Sequence, residues 1–152
     1  MKKLIAFVLL LGSVTLQMTP VIAQEKHTPA EAIALVKKAI AYLNTNGKEK
    51  AIAAFNDPSG QFANGNLYIF AYDFNGIQLA NSSNPKMIGK NLIDMKDSDG
   101  KATVRAFIEM ANTKGQGWVD YKWPNPTSKS VDAKSSYIEK AGDMLIAAGI
   151  YK

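Results

Sequence analysis

The sequence predicts an α+β domain, and three observations carry that expectation. A helix start signal stands at Thr28-Pro29-Ala30-Glu31 and helical periodicity follows it; the period changes to two at Leu67; and most of the chain beyond that point reads as short alternating segments. Helices first and then mostly antiparallel strands are the pattern of such domains, and a chain of 152 residues is long enough for one domain with its own core.

The first helix combines a Thr cap, Pro at the first helical position and Glu three residues after the cap. Ile33, Val36, Ile40 and Leu43 then fall on one face, and Asn46-Gly47 ends the helix. A second, shorter helix is expected over 48–55 with Ile52 and Phe55 inward, ended by Asp57-Pro58-Ser59-Gly60. Residues 67–74 and 77–81 around Asn75-Gly76 form the strongest hairpin signal. A two-residue turn there sets Phe74 opposite Ile77 and Tyr72 opposite Leu79. Phe70, Tyr72, Phe74, Ile77 and Leu79 then share one side, with Ile69, Ala71, Asp73 and Gln78 on the other. Residues 81–100 read as a long polar connection anchored by Ile88 and Leu92, of the kind that closes over a site. A helix over 101–113 carries the stripe Val104, Phe107, Ile108 and Ala111, and strands at 117–123, 134–139 and 144–151 complete a sheet of about five strands.

The N-terminus reads as a secretory signal over 1–23: Lys2 and Lys3, an apolar run over 4–11, and Val21-Ile22-Ala23 at the cleavage positions. Gly12, Ser13, Thr15 and Gln17 interrupt the run short of the roughly 20 apolar residues a bilayer requires. The expectation is therefore a cleaved, periplasmic domain over 24–152 that is not membrane-embedded. The absence of Cys rules out a lipid-bearing cysteine and leaves stability to the core alone. A hydrophobic fraction of 47% excludes a disordered chain. The net charge is +5, of which Lys2 and Lys3 supply two, and the remaining +3 is scattered without a basic stripe, which argues against nucleic acid as a partner.

Catalytic machinery is hard to assemble from this composition, and no enzyme is expected. The sole His, His27, precedes the first helix and reads as a solvated residue, so nucleophile and base pairs built on Cys or His are not available. Asp73, Asp120 and Asp143 near strands leave only a carboxylate-based enzyme as a distant alternative. Asp97-Ser98-Asp99-Gly100 resembles part of a calcium loop, but aligning Gly100 with the invariant glycine puts Met95 and Ala106 at ligand positions. It reads as a polar turn, and neither metal nor cofactor is expected. The segment Trp118-Val119-Asp120-Tyr121-Lys122-Trp123-Pro124 is more informative, because alternation puts Val119, Tyr121 and Trp123 on one side. With Lys134 and Tyr137, the aromatics Tyr121 and Trp123 make a candidate carboxylate site: the ammonium supplies charge and the rings and their polar tips supply walls and donors. Spacing alone favours the plainer reading, in which both aromatics are core residues and Lys134 is solvated. Arg105, the single Arg, is a further candidate for carboxylate recognition, at the edge of its helix's apolar stripe where it reaches either a pocket rim or water.

At these residues the chain resembles the single Cache domain, type 2, an extracytoplasmic sensor module best known as the input domain of bacterial chemoreceptors and histidine kinases. The likeness rests on Tyr72-Asp73-Phe74-Asn75-Gly76, on Asn84-Pro85-Lys86-Met87-Ile88-Gly89-Lys90-Asn91-Leu92 running on to Asp97-Ser98-Asp99-Gly100-Lys101, and on Gly115-Gln116-Gly117-Trp118-Val119-Asp120-Tyr121-Lys122-Trp123-Pro124-Asn125-Pro126 followed by Lys134-Ser135-Ser136-Tyr137. The ending Ala148-Gly149-Ile150-Tyr151 is similar to the family's last strand. The resemblance implies a long N-terminal helix packed on a curved, PAS-like antiparallel sheet. It implies a small organic acid held between the sheet and its covering elements, with Tyr121, Trp123, Lys134 and Tyr137 at pocket positions. A His that members often carry near Asn81-Ser82-Ser83 is absent, and the plain run Gly142-Asp143-Met144 replaces a Trp common before the last strand. The expected form is the free-standing periplasmic one, acting through a partner such as a membrane receptor or histidine kinase. A module that docks such a sensor without a ligand of its own is the second expectation.

Overall fold

Thr28 fixes where the chain becomes helix α1, Pro29–Asn46. The computed structural model describes residues 26–152, so the signal segment expected over 1–23 lies outside the described residues. The Thr28 hydroxyl accepts the Glu31 N–H at 3.3 Å and the Glu31 carboxylate accepts the Thr28 N–H at 2.6 Å, satisfying two donors that a helix start leaves open. The face laid on the sheet is Ala32, Val36 and Ala39, all fully buried, with the bulkier Ile33, Ile40 and Leu43 partly buried along its flanks. Small side chains at the contact let the helix lie close to the strands. His27 differs from expectation: its side chain is only 6% exposed, with Nδ1 3.7 Å from the Glu31 carboxylate. Helix α2, Lys48–Phe55, follows Gly47 and buries Ala51 and Phe55, the latter edge-on to Phe62 at 4.9 Å between ring centres.

Six strands form one antiparallel sheet: β1 (Ala63–Asn64), β2 (Leu67–Asp73), β3 (Gln78–Asn81), β4 (Gln116–Pro124), β5 (Val131–Ala141) and β6 (Met144–Tyr151). The order is β1-β2-β6-β5-β4, with β3 also paired to β2. Both sheet faces are covered. Helix α1 lies against β6, β5 and β2 on one face, and α3 (Thr103–Thr113) lies against β4, β5 and β6 on the other. Double cover explains why β2 and β6 are buried along almost their whole length and read as near-continuous apolar runs. Alternation sorts the side chains: Leu67, Ile69, Ala71, Tyr137, Met144, Ile146 and Ala148 join α1 and α2, while Tyr68, Phe70, Tyr72, Val119, Tyr121, Ile138, Leu145 and Ala147 join Val104, Phe107 and Ala111 of α3.

The hairpin departs from the two-residue turn. The Asp73 carboxylate accepts the N–H groups of Asn75 at 3.0 Å and Ile77 at 2.8 Å, and the Asp73 N–H donates to the Ile77 carbonyl at 3.0 Å, so the turn is wider. The expected register holds where Phe70 meets Asn81 and Ala71 meets Ala80, then shifts by one so that Tyr72 meets Gln78. This bulge turns Leu79 toward the helix side and brings Gln78 and Asn81, three residues apart, to the α3 side. Tyr72 is therefore paired with Gln78, not Leu79, and the expectation that set Gln78 on the opposite side is corrected. The connection after β3 is pinned down as well: the Gln78 N–H donates to the Lys90 carbonyl at 3.0 Å and the Gly89 N–H to the Gln78 carbonyl at 2.8 Å.

Candidate functional site

Between the sheet and α3 lies a small cavity of about 10 Å³ lined by Tyr68, Phe70, Tyr72, Gln78, Asn81, Thr103, Val104, Phe107, Tyr121, Trp123 and Lys134. That is room for about one water, so even a guest of a few heavy atoms enters only as the lining side chains shift. The rings form its wall: Phe107 packs on Phe70, Tyr72 and Tyr121 at centroid distances of 5.6, 6.3 and 5.1 Å, and Trp123 lies 5.9 Å from Tyr121.

Lys134 is the charged group of the site and is 1% exposed. It stands on β5 opposite Tyr121 of β4 and Tyr151 of β6. Its ammonium donates to the Tyr68 phenol oxygen at 3.0 Å and the Tyr151 phenol oxygen at 3.4 Å, and lies 4.3 Å and 4.6 Å from the centres of those rings. The Tyr151 hydroxyl spends its own hydrogen on the Pro124 carbonyl at 2.8 Å, so toward Lys134 it is an acceptor. Among the described residues no carboxylate lies within 4 Å of this ammonium, although five other basic side chains have one. A buried cation is costly unless paired, and here phenols and ring faces are what the protein itself supplies.

The room for that lysine comes from Gly149. A Cβ there would stand 2.1 Å from Ser136 Oγ and 2.6 Å from Lys134 Cε, so only glycine lets both side chains pass across β6. Ser136 in turn shares a 2.9 Å hydrogen bond with the Tyr121 hydroxyl. Burial pushes the phenols of Tyr72, Tyr121 and Tyr151 up and keeps them neutral. Tyr68 differs: burial alone would raise it, but the charge and hydrogen bond of Lys134 hold it below its ordinary value.

Of the five residues singled out from sequence, Lys134, Tyr121 and Trp123 come together in the cavity. Tyr137 does not. It stands three positions after Lys134, an odd step along a strand, so it faces α1, packs on Trp118 at 5.6 Å and donates to Glu139 at 3.1 Å. Arg105 does not either; its side chain is 61% exposed and bonds to Asp94. Sequence reasoning missed Tyr68, Gln78, Asn81 and Thr103 as lining residues. Tyr68 was within reach, two positions before Phe70 on the same face, whereas Gln78 and Asn81 depend on the bulge. The carboxylates weighed for catalysis are engaged elsewhere: Asp73 in its turn, Asp120 with Lys152 at 3.0 Å and Asp143 with Lys48 at 2.6 Å. Asp97 works as a turn organiser, accepting backbone N–H groups of Asp99, Lys101 and Lys122 and so tying the long connection to β4.

A profile of the family described as Single Cache domain 2 matches residues 13–151. The chain belongs to that family. Cache domains are extracytoplasmic ligand-binding signalling modules rather than enzymes. The chain is 30% identical over 86 residues to the methyl-accepting chemotaxis protein McpP of Pseudomonas putida and 27% identical over 86 residues to the sensor histidine kinase MctS of Rhizobium johnstonii. Each alignment takes in 55% of this chain but only 16% and 18% of those relatives, so the likeness concerns a single region of much longer proteins. Among solved structures, a methyl-accepting chemotaxis protein from Vibrio parahaemolyticus superposes with a TM-score of 0.71 at 26% identity, over 80% of this chain and 86% of that one. A Cache chemosensory domain solved for carboxylic acid recognition shares the fold at a TM-score of 0.64 and 22% identity, over 80% of this chain and 86% of its own. Among the described residues no helix is long and apolar enough to cross a membrane.

Proposed function

We propose that this Cache domain senses a small organic acid in the periplasm and passes its state to a partner, a membrane receptor or histidine kinase. The observation that carries the reading is the Lys134 ammonium, buried at 1% exposure in a ring-walled cavity with no carboxylate among the described residues within 4 Å. A bound carboxylate supplies that counter-charge. At about 4 Å and an effective dielectric of about 20 the attraction is about 4 kcal/mol. The Tyr68 hydroxyl adds a donor at the same end, while Phe70, Val104, Phe107 and Trp123 enclose the carbon chain. The narrow cavity limits that chain to a few atoms. Carboxylic acid recognition by a structurally similar Cache domain supports the same class of ligand. Signal transfer follows if the acid binds two states of the domain unequally, since a ligand shifts an equilibrium only by that difference. Thermal unfolding against a panel of two- to four-carbon carboxylates tests it: at least one raises the midpoint in a concentration-dependent way, and a flat panel overturns the reading.

A second reading, docking of a partner without a ligand, has one observation in its favour. An open groove beside the cavity carries Met87, Met95 and Val131, the last 56% exposed, and Lys96, Lys122 and Lys129 flank it against Asp97, which suits an acidic segment of a partner. Capture of a membrane sensor independent of any acid would favour this reading over the first.

A further inference from the structure

We propose that the Gln78 amide oxygen selects, within this cavity, a short hydroxy carboxylate over the plain acid of the same chain length; the inference rests on the organic-acid reading above. Gln78 lines the cavity and is 1% exposed. Its Oε1 is fully buried and meets no donor among the described residues, one of only two buried side-chain polar atoms there in that position. The amide cannot simply be turned over. Its Nε2 donates to the Ala80 carbonyl at 3.4 Å, and exchanging the two ends would set oxygen against oxygen. The backbone is held as firmly, through Lys90 and Gly89 of the covering connection on one side and the Tyr72 pairing on the other. The bulge of β3 is what aims this side chain into the cavity, and bulges are retained where they re-aim a side chain.

The cavity thus offers two unlike polar ends: an ammonium that wants an anion and a fixed carbonyl-type acceptor that wants a donor. A plain carboxylate satisfies the first and leaves the second unpaired. An amino acid would bring its donor as a second ammonium into the cavity that already holds Lys134. A hydroxyl brings a donor without charge, so a hydroxy acid of two to four carbons answers both ends. A site built to hydrogen-bond a hydroxyl discriminates against the analogue lacking it, because the buried acceptor is then stranded.

Isothermal titration of the purified protein with propionate, each enantiomer of lactate, and 3-hydroxypropionate tests the inference. One hydroxy acid should bind about five- to tenfold tighter than propionate. Gln78→Met, of similar length without an acceptor, should bring that ratio to about one, whatever it does to the two affinities taken singly. Gln78→Leu serves the same purpose if the Met variant does not fold. Propionate binding as tightly as every hydroxy acid, or a preference that survives both substitutions, overturns the role of Gln78 and leaves the organic-acid reading standing. Binding of none of the four, with no other short carboxylate stabilising the protein, overturns both.

Discussion

Replacing Lys134 by Met separates what this residue does for the fold from what it does for the ligand. Methionine keeps the stem length and packs well against rings, so the cavity walls stay in place. In the ligand-free protein several opposing effects change at once. Burial of an ammonium costs several kcal/mol. Against that stand hydrogen bonds to Tyr68 at 3.0 Å and Tyr151 at 3.4 Å, each contributing about 1.5–3 kcal/mol, and ring-face contacts of about 1 kcal/mol each. These nearly cancel, so Lys134→Met should move the ligand-free melting point by no more than about 4 °C, the equivalent of about 1 kcal/mol. Binding is different. Loss of about 4 kcal/mol of attraction lowers the affinity for a short carboxylate by about 1,000-fold. Differential scanning calorimetry with and without the acid reads both quantities. A variant that melts normally and still shows the full ligand-induced shift would refute the assignment of the ammonium as the anion's partner.

Gly149→Ala should act through the same lysine, because its Cβ would meet Ser136 Oγ at 2.1 Å and Lys134 Cε at 2.6 Å; we expect a loss of about 1–3 kcal/mol in stability and at least tenfold in affinity, measured by denaturant unfolding and titration calorimetry. Affinity should also fall at alkaline pH. Tyr68 has a lowered folded pKa, so as pH rises toward the ordinary phenol value of 10 its tyrosinate appears beside Lys134 and competes with the acid for the ammonium; Tyr68→Phe should flatten that alkaline decline in calorimetric titrations. Arg105→Ala and Tyr137→Phe should leave affinity within about twofold, since both side chains lie outside the cavity, and a larger loss in either would show that the site reaches further than the lining residues.

The backbone course was legible where local chemistry is decisive. The Thr28 to Glu31 capping box announces α1, and the alternation of Val119, Tyr121 and Trp123 sets all three on the face they occupy. The same alternation contradicts a site that joins Lys134 to Tyr137, because an odd step along a strand reverses direction. Chemical type drew these two together, and geometry separates them. The hairpin register was half legible: Asn75-Gly76 signals a turn, but the Asp73 carboxylate competes for the turn's N–H groups and the bulge follows. That single extra residue decides whether Gln78 faces the cavity, and no periodicity reports it. The space beside Lys134 was equally hidden, since Gly149 reads as a weak strand residue until its neighbours across the sheet are known.

The most direct test is a crystal structure of the protein grown with a carboxylate that raises its melting point. That structure should show the acid between the sheet and α3, one carboxylate oxygen within hydrogen-bonding distance of Lys134 Nζ and the carbon chain against Phe107. An acid seated instead in the outer groove beside Val131, with the ammonium still held only by the two phenols, would contradict it.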